Sequence, residues 1–234
     1  MTLTGRQVRE LLARHGAAPT KARGQNFVVD PNTVRRVARL AGVGPGDRVV
    51  EVGAGVGSLT LALAETGAAV TAIEVDGRLV AALREVVEPV GVTVVEADAM
   101  RVDWADLLGG GGGDGDSWTL VANLPYNIAT PLLADLLDEV PQIRRFVVMV
   151  QREVAERLAA SAGDEAYGAV SVKVAYWAEA KVVGRVPPTV FVPQPRVDSV
   201  LVRLHRLPAP PVDADPERLF RLVEAGFGQR RKML

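Results

Sequence analysis

The chain alternates short apolar segments with stretches of helical periodicity over most of its length. Runs of β-branched and aliphatic residues that predict strands lie at 48–52, 70–74, 92–96, 119–122 and 145–150. Apolar residues recur at helical spacing in the stretches 58–66, 78–88, 130–139 and 152–160. Strands separated by helices are joined by right-handed crossovers, which place successive strands parallel in one sheet. The pattern therefore predicts an α/β fold with a mostly parallel sheet.

The last third of the chain departs from this alternation. Two β-rich stretches, 180–186 and 197–204, predict an antiparallel hairpin at one edge of the sheet. Prolines at 208, 210 and 211 mark a linker, after which 216–228 has helical periodicity. The chain then ends in a charge cluster without a helix stop signal. We expect a main domain at 1–207 and the start of a small helical domain, incomplete here, at 208–234.

Charge is distributed unevenly, although the formal net charge is only −1. Residues 1–48 carry nine Lys and Arg against three Asp and Glu, whereas 49–142 carry three against fifteen. Residues 218–234 are basic again, with five cations against one carboxylate. Clustered cations gain free energy by displacing counterions from phosphates, so the two ends could contact a polyanion. Solvated helix faces would explain the same charges, and charge alone does not decide between the two.

Composition excludes several classes of site. There is no cysteine, which rules out disulfides, thiolate zinc sites and cysteine nucleophiles. The two histidines, His15 and His205, are too far apart in sequence to suggest a metal motif, and we expect no metal. No apolar run approaches the roughly 20 residues that cross a bilayer. We expect a monomer in the cytoplasm.

The most specific local motif is Glu51-Val-Gly-Ala-Gly-Val-Gly57, which directly follows the first long strand and precedes a helix. Glycines at 53, 55 and 57 allow a sharp turn and a close approach of the backbone to a nucleoside. The dinucleotide fingerprint has a different spacing, which Gly53, Gly55 and Ser58 match imperfectly. The spacing favours a methyltransferase that uses S-adenosylmethionine. A nicotinamide enzyme and a purely structural turn remain open at this point.

Two carboxylates follow the next strands. Glu74 comes 21 residues after Gly53 and ends the second long strand, where a carboxylate can accept both hydroxyls of a ribose. Asp98 follows the third strand, where it can accept a hydrogen bond from the amine of an adenine. A surface acid at a strand end is the alternative for each residue. The three strand-end features together favour one cofactor site over separate structural explanations.

The segment Asn123-Leu-Pro-Tyr126 follows the fourth strand. An exocyclic amine on an aromatic ring is a poor nucleophile because its lone pair is delocalised. The Asn123 side-chain carbonyl and the Leu124 backbone carbonyl could accept from its hydrogens and free that lone pair, and Pro125 keeps Leu124 out of helical geometry. Tyr126 could stack on the base. A simple helix-entry turn is the alternative, and it is weaker after a strand in a chain with the glycine motif.

With these residues the chain resembles the small-subunit ribosomal RNA adenine dimethyltransferase family, whose members give kasugamycin sensitivity. The resemblance covers about residues 20–234. It rests also on five further motifs, namely Gly24-Gln-Asn-Phe27, Gln151-Arg-Glu-Val154, Tyr167-Gly168, Phe191-Val-Pro-Gln-Pro-Arg-Val-Asp-Ser199 and Phe227-Gly-Gln-Arg-Arg-Lys232. It implies a Rossmann-like domain with a seven-stranded sheet and a smaller helical domain. It also implies dimethylation of two adjacent adenines near the 3′ end of small-subunit RNA, within a pre-ribosomal particle.

The resemblance assigns roles to individual residues. Asn26 and Val28 would border the methionine part of the cofactor, and the other cofactor contacts would be Gly53, Gly55, Gly57, Glu74, Asp98 and Asn123. The family more often has leucine at position 28. Tyr126 and Phe191 would stack on opposite faces of the target adenine. The RNA contacts that we expect in the two basic ends are Lys21, Arg23, Arg230, Arg231 and Lys232.

Three other functions stay open on the sequence alone. The macrolide-resistance branch shares the Gln-Asn-Phe, Asn-Leu/Ile-Pro-aromatic and Phe-x-Pro-x-Pro motifs but methylates large-subunit RNA. The contexts of Tyr167-Gly168 and Arg230-Arg-Lys232 favour the small-subunit branch. A non-catalytic RNA-binding assembly factor would not need an intact Asn123-Leu-Pro-Tyr126. A small-molecule methyltransferase would not need arginine-rich ends.

Overall fold

The structure, a computed structural model, describes residues 2–20, 24–109, 117–125 and 127–228. Its strands are β1 (Phe27–Val28), β2 (Arg48–Val52), β3 (Ala69–Glu74), β4 (Thr93–Glu96), β5 (Trp118–Asn123), β6 (Ile143–Gln151), β7 (Ala178–Val186), β8 (Phe191–Val192) and β9 (Ser199–Arg206). Its α-helices are α1 (Gly5–Arg14), α2 (Pro31–Ala41), α3 (Ser58–Ala64), α4 (Gly77–Val87), α5 (Trp104–Leu108), α6 (Ala129–Glu139), α7 (Arg152–Leu158), α8 (Ala169–Trp177) and α9 (Pro216–Gly228). Short 3₁₀ turns lie at Glu88–Val90 and Pro188–Val190.

Seven of the strands form one sheet in the order β4-β3-β2-β5-β6-β9-β7. The five strands from β4 to β6 are parallel, and β9 runs antiparallel to both β6 and β7. The expected seven-stranded, mostly parallel sheet with an antiparallel pair at one edge is therefore confirmed. The chain passes from β2 outward to β3 on one side and later to β5 on the other. Such a reversal opens a crevice at the carboxyl ends of the strands.

Helices cover both faces of the sheet. On one face, α2, α3 and α4 bury Val37, Leu63 and Leu83 against β2, β3 and β6. On the other face, α6, α7 and α8 bury Leu133 and Leu158 among the opposite side chains of β5, β6 and β9. Burial of one large aliphatic side chain contributes about 1.5–3 kcal/mol. The two apolar layers therefore hold the strand ends in a fixed arrangement.

Cap signals in the sequence place the start of α2. The Asp30 side chain accepts a hydrogen bond from the Thr33 amide at 2.8 Å, and Pro31 occupies the first turn. Gly42 ends the helix in the left-handed conformation, with φ of +61°. The segment 24–30 is thereby held between α2 and the carboxyl ends of the sheet.

Helix α8 and the pairing of β1 with β8 have no clear signal in the sequence. The segment Ala169–Trp177 is rich in β-branched and aromatic residues, yet it forms helix α8. Its start is fixed by the Ser171 hydroxyl, which donates to the Arg157 carbonyl at 2.6 Å and accepts from the Gly168 amide at 3.0 Å. The pair β1–β8 joins residues that are more than 160 positions apart. No local pattern predicts a pairing at that separation.

The last helix packs on the main domain. Phe220 of α9 is buried, with its ring 5.4 Å from that of Tyr176 in α8. The Tyr176 hydroxyl donates to the Ala214 carbonyl at 2.7 Å. The linker and α9 are thus tied to α8 by an aromatic contact and a hydrogen bond. The division into domains at 207 stays a prediction.

We expect Arg206→Leu to lower the free energy of unfolding by about 2 kcal/mol. The Arg206 guanidinium donates to the Leu136, Leu137, Val140 and Ile143 carbonyls at 2.8–3.1 Å. These include carbonyls of the last turn of α6, and a buried acceptor left without a donor costs about 1–3 kcal/mol. Urea unfolding would measure the loss. Arg144→Leu, at an exposed neighbouring position, is the control and is expected to change stability little.

Candidate active site

A pocket opens at the carboxyl ends of β2, β3, β4 and β5, where the order of the strands reverses. The turns that follow these strands supply its walls, and the N-terminal segment 24–27 closes one side. Its lining residues are Gly24, Gln25, Asn26, Phe27, Val52, Gly53, Gly55, Ile73, Glu74, Val75, Ala97, Asp98, Ala99, Asn123, Leu124, Pro125 and Ile128. The fold thus brings together motifs that lie about 100 residues apart in the sequence.

The glycine motif forms the floor of this pocket. Gly53, Gly55 and Gly57 all have positive φ, between +61° and +89°. A Cβ on Gly55 would lie 2.8 Å from the Phe27 ring, so only glycine allows the N-terminal segment to lie against the turn. Gly57 does not line the pocket; a Cβ there would meet Val87 of α4 at 2.7 Å. Gly57 therefore serves helix packing, while Gly53 and Gly55 face the pocket.

Glu74 lies in the pocket wall at the end of β3 and is only 5% exposed. One of its oxygens accepts from the Gly55 amide at 2.8 Å, and the other accepts from the Val75 and Asp76 amides at 3.0 Å. Burial raises the pKa of Glu74, and these three amide bonds act in the opposite direction. The carboxylate is thus fixed in orientation beside the glycine turn.

Asp98 lines the pocket, whereas Val28 does not. Asp98 lies two residues beyond β4 and lines the pocket, with one oxygen accepting from the Met100 amide at 3.0 Å. Val28 is buried in β1, paired with Phe191 across the short sheet, and lies behind the pocket wall. The contact of Val28 with the methionine part of the cofactor stays a prediction.

The segment after β5 carries the polar groups on the opposite wall. The Asn123 side-chain amide donates to the Asn26 carbonyl at 2.8 Å, which fixes its orientation and leaves Oδ1 as the acceptor. Leu124 is buried and anchored by its amide to the Met149 carbonyl at 3.1 Å. The Pro125 carbonyl accepts from the first amides of the turn into α6. Asn123 and the Leu124 backbone are therefore held at the pocket edge.

Phe191 lies in the core. It is 3% exposed and packs among the apolar residues of the face that carries α2 and α3. Its stacking role stays a prediction. The other residues expected to contact substrate lie outside the described residues, and they are Lys21, Arg23, Tyr126, Arg230, Arg231 and Lys232.

Glu51, the fourth residue of β2, is a buried acid to which the sequence pattern assigned no role. It is 2% exposed and lines a small cavity behind the glycine turn together with Val28, Ser58 and Asn123. Burial raises the pKa of Glu51 to about 8, with a further contribution from the charge on Glu74. The nearby Thr60 hydroxyl acts to lower it. Glu51 is therefore largely protonated at neutral pH.

Within the described part of the chain, no group of three or more His, Asp or Glu side chains is arranged to hold a metal ion. In the same ranges, no helix has the length and apolar character needed to span a bilayer.

The comparisons with known proteins agree with this geometry. Residues 19–234 match the family model described as ribosomal RNA adenine dimethylase. The chain is 50% identical over 238 residues to a protein of Thermobifida fusca named ribosomal RNA small subunit methyltransferase A. That alignment covers 99% of this chain and 80% of the relative.

Solved structures show the same fold. A 23S rRNA methyltransferase, ErmE, superposes with a TM-score of 0.71 at 30% identity, over 87% of this chain and 80% of the other. A dimethyladenosine transferase from Plasmodium falciparum gives a TM-score of 0.72 at 27% identity, over 88% and 72% of the two chains. The match to the family model extends over nearly the whole sequence and includes every strand that lines the pocket. The chain belongs to the ribosomal RNA adenine dimethylase family.

Proposed function

We propose that this protein uses S-adenosylmethionine to dimethylate N6 of two adjacent adenines near the 3′ end of small-subunit ribosomal RNA. The observation that carries the proposal is the position of Asn123, Leu124 and Pro125 at the edge of the pocket that holds Glu74. The 50% identity to a relative named for the small subunit supports this substrate over large-subunit RNA. The similarity to ErmE at 30% identity is weaker.

The pocket residues fit S-adenosylmethionine. The Glu74 carboxylate is suited to accept from the two ribose hydroxyls, and Asp98 is suited to accept from the adenine amine. The turn at Gly53 and Gly55 has no side chain that would keep a nucleoside from the backbone. Asn26 and Asn123 would border the methionine end. Bound there, S-adenosylmethionine would supply an electrophilic methyl group on a sulfonium centre.

The target amine would be held by acceptors on the opposite wall. Asn123 Oδ1 and the Leu124 carbonyl would accept from its hydrogens, which draws the nitrogen toward a tetrahedral shape and frees its lone pair. The Asn26 carbonyl prevents the Asn123 amide from turning its donor toward the substrate. We assign no general base, because the proton that leaves the methylated nitrogen can pass to water. Positioning and electrostatics would therefore supply most of the acceleration.

The remaining parts of the proposal concern the partner. Tyr126 would stack on an adenine turned out of its helix, since a paired base cannot present its amine to the pocket. The two basic ends, with Lys21, Arg23 and the cluster Arg230-Arg231-Lys232, would contact RNA phosphates. We propose that the protein acts as a monomer on a pre-ribosomal particle in the cytoplasm.

The test is to incubate the protein with S-adenosylmethionine and with unmethylated small subunits or large subunits in parallel. We expect dimethyladenine in the small-subunit RNA, at two adjacent positions near its 3′ end. Methylation of large subunits alone would favour the macrolide-resistance reaction instead. Binding to small subunits without methyl transfer would favour a non-catalytic assembly factor.

Glu74→Ala is expected to weaken S-adenosylmethionine binding about tenfold or more. A carboxylate that accepts from two ribose hydroxyls makes charge-assisted bonds of about 1.5–3 kcal/mol each. Isothermal calorimetry on the folded variant would measure the change in Kd. Glu88→Ala removes an exposed carboxylate that does not line the pocket and is the matched control. Unchanged affinity in Glu74→Ala would exclude this residue from the cofactor site.

The affinity for S-adenosylmethionine should also depend on pH through Glu74. Because burial raises the pKa of Glu74, the carboxylate becomes protonated at a higher pH than an ordinary glutamate. Affinity for S-adenosylmethionine should therefore fall as the pH falls through that raised pKa. Calorimetry across the acidic range should show this fall in the wild-type protein and not in Glu74→Ala. A parallel fall in both proteins would place the titrating group elsewhere.

A further inference from the structure

A cluster of cations lies on the sheet face that carries α2, away from the pocket. Its members come from helix α2 and from strands β6, β7 and β9. We call it the basic face; its five cations are Arg36, Arg39, Arg145, Lys181 and Arg203, and His205 lies among them.

Strand register places the four sheet residues together. Arg145 of β6 lies opposite His205 of β9, and Arg203 of β9 lies opposite Lys181 of β7. Residues directly opposite each other share a face, and so do residues two apart on one strand. Arg203 also lies opposite Val147, whose side chain packs with α2. All four side chains therefore project on the α2 side.

Helix α2 extends the cluster with two further arginines. Arg145 donates to the carbonyl of Gly42 at 3.3 Å, beside the last turn of α2 that carries Arg39. Arg36 donates to the Arg185 carbonyl at 3.0 Å and lies directly over Gly184 of β7, where no Cβ would fit. Arg36 and Arg145 thus tie helix α2 to the strands that carry the cations, and Arg39 is exposed on the same helix.

The surface keeps an excess of positive charge after its ion pairs are considered. Within the described residues, Glu179 pairs with Lys181 at 2.6 Å and Asp47 pairs with Arg145 at 3.2 Å. Partial burial lowers the pKa of His205, the charges of Arg203, Arg145 and Lys181 lower it further, and Glu179 acts in the opposite direction. The lowered pKa of His205 also reflects this excess of positive charge, and the imidazole itself is mostly neutral at pH 7.

Like charges opposite each other destabilise a sheet, so their concentration on one face calls for an explanation. A lysine on an edge strand can simply prevent pairing with another chain, which would account for Lys181. It would not account for Arg203 and Arg145, which lie on inner strands, or for Arg39 on a helix. A row of cations on a flat surface matches the regularly spaced phosphates of a nucleic-acid backbone.

We propose that the basic face is a second RNA-binding surface, which holds the phosphate backbone of ribosomal RNA remote from the target adenines. This inference rests on the proposed function. In the sheet, Arg145 lies four residues before Met149, which pairs with Asn123 at the pocket edge, and this spacing corresponds to about 13 Å along the strand. A short RNA hairpin that places its adenine in the pocket would not reach the basic face as well. A large folded RNA could contact both, which would favour an assembled subunit over a small fragment.

The test compares the wild-type protein with the double variant Lys181→Gln/Arg203→Gln. For each, the Kd for unmethylated small subunits is measured at several salt concentrations. The matched control is Arg84→Gln/Arg157→Gln, which removes the same charge from exposed positions that pair with Glu88 and Glu153. We expect the log–log slope of Kd against salt to flatten by about 1.5 for two lost phosphate contacts, with no change in the control. Affinity for S-adenosylmethionine, measured by calorimetry, should equal that of the wild type. If the half-buried Arg203 proves necessary for folding, Arg39→Gln/Lys181→Gln removes two exposed cations of the same face.

A wild-type slope in a folded double variant would overturn the proposal and make these residues a solvated face. The same salt series, measured with protein-free small-subunit RNA, shows whether the basic face binds RNA or a ribosomal protein. A loss seen with subunits but not with the free RNA would show that the face binds a ribosomal protein, which also overturns the proposal. The proposed function is tested separately by methyl transfer from the wild-type protein. If that protein methylates small subunits while the slopes are unchanged, only the basic face is wrong.

Discussion

Asn123→Ala is expected to lower the rate of methyl transfer to small subunits by two to three orders of magnitude. The variant removes one of two acceptors that activate the target amine, and deletion of a single preorganised polar group of this kind costs about 10²–10³ in rate. Affinity for S-adenosylmethionine should fall much less, because Glu74 and the glycine turn are untouched. The measurement is methyl incorporation with dimethyladenine separated from monomethyladenine, together with calorimetry for the cofactor.

A second substitution at Asn123 separates its two polar groups. Asn123→Asp keeps acceptor oxygens but loses the donor to the Asn26 carbonyl, so the acceptor is no longer held in place. We expect activity between that of the wild type and that of Asn123→Ala. Asn32→Ala, on the exposed side of α2, is the control. Near-normal turnover in Asn123→Ala, or a methyl group on a ring nitrogen or ribose, would contradict the proposed mechanism.

Glu51→Gln is expected to change how stability depends on pH. In the unfolded chain this carboxyl titrates near its ordinary value of 4.5, whereas in the folded protein its pKa is about 8. Between these two pH values the carboxyl is ionised in the unfolded chain but still protonated in the folded protein. The stability that Glu51 contributes is therefore fully present below pH 4.5 and is lost as the pH rises toward 8, by up to about 1.4 kcal/mol per pH unit.

The glutamine variant lacks this titration. The free energy of unfolding is measured by urea denaturation from pH 5 to pH 9. The difference between the variant and the wild type should shift by several kcal/mol in favour of the variant across this range. A constant offset from imperfect packing of the amide does not affect this difference in slope. Glu153→Gln, on the exposed side of α7, should follow the wild-type curve. Parallel curves for Glu51→Gln and the wild type would show that Glu51 titrates normally.

Most of the fold could be predicted because local patterns and long-range packing agree. Every strand and helix that the apolar periodicity predicted begins and ends within two residues of its position in the structure. Helix α8 was not predictable in this way, since its β-branched residues favour a strand and tertiary packing decides. The β1–β8 pair depends on contacts between segments more than 160 positions apart, which no local window contains.

The candidate site could be located from the sequence for a similar reason. Carboxyl ends of parallel strands meet at one edge, so residues such as Glu74 and Asn123 that follow those strands must lie close together. The finer roles depend on side-chain packing. Gly57 fits the spacing of the motif but faces α4, and Val28 lies behind the wall. Glu51 had no visible signal, because its importance comes from complete burial.

The hydrogen bond from Asn123 to the Asn26 carbonyl joins the two halves of the pocket across 97 positions of sequence. Asn26 belongs to the segment that lies against the glycine turn, where the cofactor is proposed to bind, whereas Asn123 is proposed to face the adenine. A ligand that shifts the first segment would also shift the amide that faces the second ligand. By thermodynamic linkage the coupling is reciprocal, so the adenine should tighten the cofactor by the same factor as the cofactor tightens the adenine. The enzyme would then bind its two substrates cooperatively, and the monomethyl product would be retained most firmly once fresh cofactor has entered.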